Sequence, residues 1–383
     1  MAKHNKLGVE DEFFKELREG SRTKQNIVVK YFVAYNRVMA RGEAPKIGYA
    51  DLFAGPGFYR NDEGGTQHSI PLLICEAAVR EELFRRKIHL WFNDGDPPNC
   101  QQLKAAIESL PGIASLRYAP TVDNKIIDAK WVSILGRLRV PTLVFLDPCG
   151  SKGLSLRLVA SVLRGFGNDC IFFFNYSRIN MKLGLAIMNR SVDEFFEPER
   201  ARALRADIQD RSAPERERII LAAVKSSIED AGAIPLVFGF KSDNGRLSHH
   251  LVYASKNAKA AGMMKIILRS ASSDIREGVG SGEHDPRARE SSGLLFAGLY
   301  EIEERLLSVY AGRQIRFDIL LREEARTSYT ESNYRDALLR LESEKRVTVE
   351  PPAEQRKFQA GGEKRTLPKG VLIQFMREKD HGN

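Results

Sequence analysis

Cysteine is scarce in this 383-residue chain and is never closely paired. Cys75, Cys100, Cys149 and Cys170 lie at least 21 residues apart. There is thus no Cys-x-x-Cys element of a zinc ribbon or dithiol redox site, and reduced thiols in a cytoplasmic protein are expected. The seven histidines do not gather around the cysteines, so no metal site is expected. Long apolar runs are absent too. No stretch approaches the ~18 residues of a membrane span, and the opening Met-Ala-Lys-His-Asn-Lys leads into no signal-peptide apolar segment. No membrane partner is expected. Acidic side chains are the minority, 50 against 59 Lys plus Arg, which leaves +9 at pH 7 and a pI near 9.3. Such a field favours polyanionic partners. An apolar fraction of 43% is ordinary for a globular protein with a sizeable core, and the length allows two or three domains. No internal repeat is visible.

What is present is organised around residues 46–57, Lys-Ile-Gly-Tyr-Ala-Asp-Leu-Phe-Ala-Gly-Pro-Gly. An apolar run that ends on a carboxylate and passes into a turn with two glycines is how the first strand of a nucleotide-binding α/β sheet delivers its ligand loop. Glycine lets the backbone turn sharply and lets a ligand lie against bare main chain. Before this stretch, apolar periodicity predicts a short helix at 11–18 and a longer one, capped by Ser21 or Thr23, ending at Arg41. After it come a polar insert at 59–68 and a helix from Ser69 to about residue 86, with Pro71 in its first turn. Runs at 88–92, 115–118, 142–146 and 170–174 read as strands two to five, separated by helices that include 99–109 and 124–138. Near-continuous apolar strands between amphipathic helices mean parallel strands covered on both faces. The expected fold is a doubly wound, Rossmann-like α/β sheet. A charged helical insert at 178–230 precedes strands at 235–240 and 249–254, whose loop contains the hairpin signal Asn244-Gly245. A parallel sheet finished by an antiparallel hairpin is the pattern of class I methyltransferases.

Carboxylates at the ends of adjacent strands suit a ligand with a ribose, whose hydroxyls donate to them. Asp94 ends the second strand and is read as the ribose ligand, with a plain turn residue as the alternative; Asp96 reads as a helix cap. Asp51 precedes Phe53, Gly55 and Gly57, and falls where S-adenosylmethionine would present its positively charged amino end. A dinucleotide is disfavoured, because these glycines run into an insert and not into the helix N-terminus that a pyrophosphate needs. Asp123 is either an adenine-contacting acid or a helix cap. Asp147-Pro148-Cys149-Gly150 closes the fourth strand, where methyltransferases acting on exocyclic amines carry Asp/Asn-Pro-Pro-aromatic. There the carboxylate and a carbonyl orient the amine, and the aromatic stacks on a flipped base. Asp147 and Pro148 fit, whereas Cys149 and Gly150 depart. A Pro-Cys pair also fits thiolate attack on a cytosine ring, against which stands the usual role of a lone cysteine as a small buried apolar residue. Tyr176, after the fifth strand, is either a substitute stacking surface or a core tyrosine. His249-His250 has no partner ligand in view.

Residues 270–293 are rich in Ser, Gly and charge and read as a linker or lid. Helical periods return at 294–311, 318–325 and, behind the cap Thr330, 331–344. Residues 347–349 then pair with 371–375 across a basic loop, which makes a winged helix-turn-helix. In its third helix Tyr334, Leu338 and Leu341 face inward, while Asn333, Arg335, Asp336 and Arg340 face out. Asn333 and Arg335 would reach base edges. Lys364 and Arg365, on the wing, would grip phosphates and make binding salt-dependent. The alternative is a protein-contact module, since Glu331, Asp336, Glu342 and Glu344 dilute the positive face. The expected domains are 1–268, a linker or lid at 269–293, and 294–383.

Asp-Leu-Phe-Ala-Gly-Pro-Gly at 51–57, Ser69-Ile70-Pro71-Leu72, Asp147-Pro148-Cys149-Gly150, and Tyr253-Ala254-Ser255 with Met264-Lys265 resemble the three-Cys-motif partner (TcmP) family over most of the chain. The resemblance implies a bacterial or phage-linked methyltransferase-like protein that works with a three-Cys-motif protein similar to radical-S-adenosylmethionine enzymes. The family reads Asp-Pro-Phe-Gly where this chain has Cys149, which argues against a catalytic thiol there. Two functions are therefore expected to compete. One is an S-adenosylmethionine-dependent methyltransferase acting on DNA or RNA, and the other is a non-catalytic nucleic-acid-binding adaptor that recruits the three-Cys-motif partner.

Overall fold

The computed structural model describes residues 7–60, 66–148, 153–184, 189–277, 279–288, 298–358 and 365–376. The helical preface is one rod, α1 (Leu7–Arg41), not two helices. An internal glycine such as Gly20 costs a helix only about 1 kcal/mol. The buried stripe Ile27, Val28, Tyr31, Phe32 and Tyr35 holds the second half from one side.

β1 (Ile47–Asp51) is buried at all five positions. The polar insert is a small antiparallel pair, β2 (Phe58–Arg60) with β3 (Thr66–His68). One helix was expected next; two form, α2 (Ile70–Arg80) and α3 (Glu82–Arg85), because Glu81 adopts an extended conformation between them. β4 (Ile88–Asp94) and α4 (Pro97–Glu108) follow. The third strand is not 115–118. A 3₁₀ turn, Ile113–Ser115, ends where that run begins, residues 116–118 are bends, and the strand is the later β5 (Thr121–Asn124). β5 ends the sheet and is partly exposed, so it needs no apolar run. Of the helix expected at 124–138 only α5 (Trp131–Leu135) forms. β6 (Thr142–Leu146), α6 (Leu156–Val162) and β7 (Asp169–Phe174) complete the parallel set. The charged insert folds as α7 (Tyr176–Leu183), α8 (Asn189–Phe196), α9 (Pro198–Asp207) and α10 (Ala213–Asp230). The hairpin is β8 (Ile234–Lys241) and β9 (Leu247–Ser255), followed by α11 (Ala258–Ala271). The stretch read as a linker carries β10 (Ile275–Arg276), β11 (Val279–Gly280) and β12 (Glu283–His284) in its described part.

The sheet order is β12-β8-β9-β7-β6-β1-β4-β5. β5, β4, β1, β6 and β7 are parallel, and β9 is antiparallel to β7 and β8. The chain therefore winds outward in both directions from β1, and the crevice at the carboxyl ends of β1, β4 and β6 is the switch point where such sheets bind ligands. Val144, Leu146, Phe172 and Phe174 form the core beneath it with Trp131, Leu158 and Phe195. Each such buried side chain contributes roughly 1.5–3 kcal/mol.

The chain divides into two compact units, Met1–Ile267 with His284–Arg287, and Leu268–Glu283 with Ala288–Asn383. In the second, α12 (Leu299–Tyr310), β13 (Gln314–Arg316), α13 (Phe317–Glu323), α14 (Glu331–Ser343), β14 (Val347–Glu350) and β15 (Leu372–Phe375) follow in order. Its antiparallel sheet runs β13-β15-β14. β13 left no apolar signal because it buries only Ile315 of its three residues. Leu306, Tyr310, Phe317, Leu338, Leu341 and Phe375 fill this unit's own core. Beside them lies a buried carboxylate. Glu324, with a side chain 2% exposed, accepts from Arg305 at 2.8 and 3.2 Å, from Tyr310 at 3.2 Å and from Tyr334 at 2.9 Å. Among the described residues no helix is long and apolar enough to cross a membrane.

Candidate functional site

The glycine turn leaves β1 with Gly55 and Gly57 at φ +67° and +93°. At Gly57 an added Cβ would stand 2.9 Å from Leu103 Cδ1, so both the conformation and the packing demand glycine. At Gly55 an added Cβ would meet nothing within 4 Å. The loop thus offers bare backbone to open space. Its position is fixed by Asp94, at the end of β4, whose Oδ2 accepts from the Gly55 N–H at 2.8 Å. Asp94 Oδ1 accepts from the Asp96 N–H at 2.9 Å and from Asn99 at 3.2 Å. Asp96 occupies the N-cap position of α4 but makes no side-chain capping bond. Asn93, fully buried, ties three strand ends together. It donates to Leu52 O and Lys125 O and accepts from the Lys125 N–H.

Asp51 is 1% exposed, and its Oδ1 accepts from the Phe53 N–H at 3.1 Å. Burial first, then the neighbouring Asp147 and Asp94, push its carboxyl up to about 8, against the opposing pull of the Phe53 N–H and Lys24. Asp51 therefore binds a proton in the folded chain where the unfolded chain has lost it. Its contribution to stability is complete below the ordinary carboxylate range and disappears as pH rises through about 8. Urea unfolding of the wild type is expected to lose about 2–3 kcal/mol between pH 6 and pH 9 from this group. Asp51→Asn, which keeps the oxygen facing Phe53, removes that slope. Identical pH dependence in the two proteins would show that Asp51 is ionised throughout.

Phe53 packs on the core and lies 3.2 Å from where a Cβ on Gly153 would be. Asp123 lies within β5, and its Oδ2 accepts from Trp91 Nε1 at 3.2 Å and from Lys125 at 2.9 Å. Trp91 in turn stacks on Trp131 with centroids 5.5 Å apart. Asp123 is therefore a strand residue tied to its neighbours, not a helix cap.

Asp147 follows β6, and Pro148 beside it is buried; Cys149 and Gly150 lie outside the described residues. Asp147 Oδ2 is 2.7 Å from the ammonium of Lys24, a residue of α1 that no motif marked. Burial pulls the Lys24 ammonium down, but Asp147, Tyr59 and Asp51 together leave it above the ordinary lysine value. The structure brings Asp51, Asp94 and Asp147 to the same sheet end. It does not bring Tyr176 there as a stacking surface. Asn175 caps α7 through its side chain, so the chain turns inward at once, and Tyr176 is buried edge-on to His250 at 5.9 Å. The flat aromatic surface beside Asp147 is instead Phe173, with His249 stacked on it. Among the described residues no group of three or more His, Cys, Asp or Glu side chains is placed to hold a metal.

In the second unit Asn333 does not face out. It is 1% exposed and forms a reciprocal cap with Thr330, its Oδ1 accepting from the Thr330 N–H and hydroxyl. It is the third residue of the helix, where a side chain folds back on the cap. Arg335 donates to Leu367 O and to Glu331, and Arg340 stands against Glu277, Glu303 and Glu344. Arg365 stacks on Phe358 at 3.7 Å and donates to Arg356 O. Lys364 lies outside the described residues. α14, β14 and neighbouring segments border a cavity of ≈ 1180 Å³ lined by Leu339, Val347 and Arg365 with the acids Asp336, Glu342 and Glu354.

No family model and no curated protein matches the sequence. Solved structures give distant likenesses. A Legionella pneumophila protein is 10% identical, with a TM-score of 0.39, over 68% of this chain and 98% of its own. The methyltransferase domain of a bacterial Hen1 is 12% identical, with a TM-score of 0.31, over 60% of this chain and 100% of its own. The magnesium protoporphyrin IX methyltransferase of Synechocystis, with bound SAH, is 13% identical, with a TM-score of 0.31, over 67% of this chain and 89% of its own.

Proposed function

We propose that this chain is an S-adenosylmethionine-dependent methyltransferase acting on nucleic acid, working with a three-Cys-motif protein in a cytoplasmic setting. The observation that carries the cofactor assignment is the join between Gly55 and Asp94. A glycine loop with open space above it is held by the carboxylate that ends the neighbouring strand, at the switch point of the sheet. When bound, S-adenosylmethionine supplies a methyl group activated by a positively charged sulfur. Asp94 would accept from the ribose hydroxyls, the backbone at Gly55 would lie against the ligand, and Asp51 would give up its proton on meeting the cationic amino end, whose charge favours the carboxylate. Asp147 would orient the acceptor, so that alignment supplies most of the rate. Calorimetric titration with S-adenosylmethionine tests the assignment; a folded protein that shows no heat of binding would sink it.

The order helix, strand, two helices and two strands in the second unit supports reading it as a winged helix-turn-helix that contacts DNA or RNA. Arg335 and Arg340 are held by carboxylates, so the phosphate contacts fall to Lys364, Arg365 and Lys357 on the wing. Affinity that does not change between low and high salt would remove that role.

A second reading is favoured by one observation. The cavity along α14 and β14 mixes apolar and acidic lining that suits a protein better than a phosphate backbone. In this reading the chain is an adaptor that recruits the three-Cys-motif partner. Cofactor binding without methyl transfer to any nucleic acid would favour it.

A further inference from the structure

We propose that Lys24 is a positioning residue of an acceptor pocket for the exocyclic amino group of a nucleobase. It holds one oxygen of Asp147 and leaves the other to receive an amine N–H. The proposal deepens the methyltransferase reading but does not need the cofactor for the pocket itself.

A lysine side chain is flexible and its ammonium strongly hydrated, so a fixed position needs more than one contact. Lys24 has two. Its Nζ is 2.7 Å from Asp147 Oδ2 and lies 4.5 Å from the centroid of the Phe173 ring, with the lysine side chain only 12% exposed. The pair therefore sets the rotation of the Asp147 carboxylate. Among the described residues Oδ1 has no hydrogen-bond partner, although the side chain is only 22% exposed. A carboxylate oxygen in that position gains from an N–H donor and is opposed by another lone pair.

The adjoining surface is flat. His249 stacks on Phe173 with centroids 4.9 Å apart and planes 14° from parallel, and Phe240 meets the same ring edge-on at 5.3 Å. Burial, and then Lys24, push the His249 imidazole down to about 4, so it is a neutral ring at physiological pH. With the Lys24 ammonium over Phe173 and His249 stacked on the same ring, the neutral imidazole is the flat face left to an incoming planar group, and together with one acceptor oxygen it suits a base with an amino edge. Adenine and cytosine present such an N–H₂ donor, while hypoxanthine and uracil put a carbonyl oxygen in its place. A phosphate is disfavoured, because the lysine charge is already balanced and the carboxylate would repel it.

The test titrates the full chain, saturated with S-adenosylhomocysteine, with adenosine against inosine and cytidine against uridine, followed by NMR shifts. The wild type is expected to prefer at least one amino member over its oxo partner by about tenfold. Lys24→Met, similar in length but uncharged, should reduce that preference to about twofold or less when saturated with S-adenosylhomocysteine at its own measured affinity, and Lys24→Arg should keep it. Should Lys24→Met fold poorly, Lys24→Gln serves the same comparison. Equal affinity for amino and oxo partners in the wild type, or a full preference in Lys24→Met, overturns the proposal. A wild type that ignores S-adenosylhomocysteine yet keeps the preference sustains the pocket and overturns the cofactor reading. One that binds S-adenosylhomocysteine without preference does the reverse.

Discussion

Asp94→Ala is expected to bind S-adenosylmethionine about 100-fold more weakly than the wild type in calorimetric titration. The carboxylate has two tasks at once. It would receive the ribose hydroxyls, and it also receives the N–H groups of Gly55 and Asp96 that fix the loop and the start of α4. Hydrogen bonds to a charged acceptor are worth roughly 1.5–3 kcal/mol each, so losing two at the lower end of that range, as suits a half-buried site open to water, corresponds to about two decades in affinity. Asp94→Asn separates the tasks: its amide oxygen still accepts from Gly55, and it should fall between the two proteins. Unchanged affinity in Asp94→Ala, with the fold intact, would place the ligand elsewhere.

Glu324→Gln is expected to destabilise the second unit by about 1–3 kcal/mol, read from chemical unfolding. Burial alone would push this carboxyl up. The hydrogen bonds from Arg305 and Tyr334 and the Arg305 charge outweigh that and hold it below the ordinary range. Removing the charge leaves two tyrosine hydroxyls and Arg305 facing a group that satisfies them poorly; because the Arg305 side chain is 43% exposed and water can take up its charge, the cost is that of under-satisfied buried hydrogen bonds and not of a stranded buried charge. The pH sign follows. A depressed carboxyl stabilises the fold above its unfolded value and loses that contribution as pH falls through the lower folded value. The wild type should therefore lose stability on acidification, and Glu324→Gln should not share that loss. A cost below about 1 kcal/mol would mean the cluster behaves as an exposed ion pair.

The strands were legible wherever burial is continuous. The runs of β1, β4, β6 and β7 announced themselves because both faces of those strands are covered. β5 was displaced because an edge strand can be Thr-Val-Asp-Asn, while Leu116, the apolar residue that drew attention, only plugs a turn. Asp51, Asp94 and Asp147 were legible because each ends a recognisable run. Lys24 was not. It is 123 residues from Asp147, and a charged residue on an amphipathic helix looks like any solvated one until the fold brings it home. Asn333 misled for a related reason. Periodicity assigns faces along a helix but does not describe its first turn, where a polar side chain can turn back and be buried.

The unbroken α1 has a further consequence. Seven residues beyond Lys24, Tyr31 donates to Asp169 at 2.5 Å, at the opposite end of the parallel strands. Two helical turns rise about 10 Å and are stiff over that length. α1 therefore acts as a ruler laid along the strands, graduated at one mark by the Asp169 carboxylate and at the other by Asp147. Lys24 cannot slide without pulling Tyr31 from its place, and a chain trimmed to begin at β1 would keep the strands but lose the measure of the pocket.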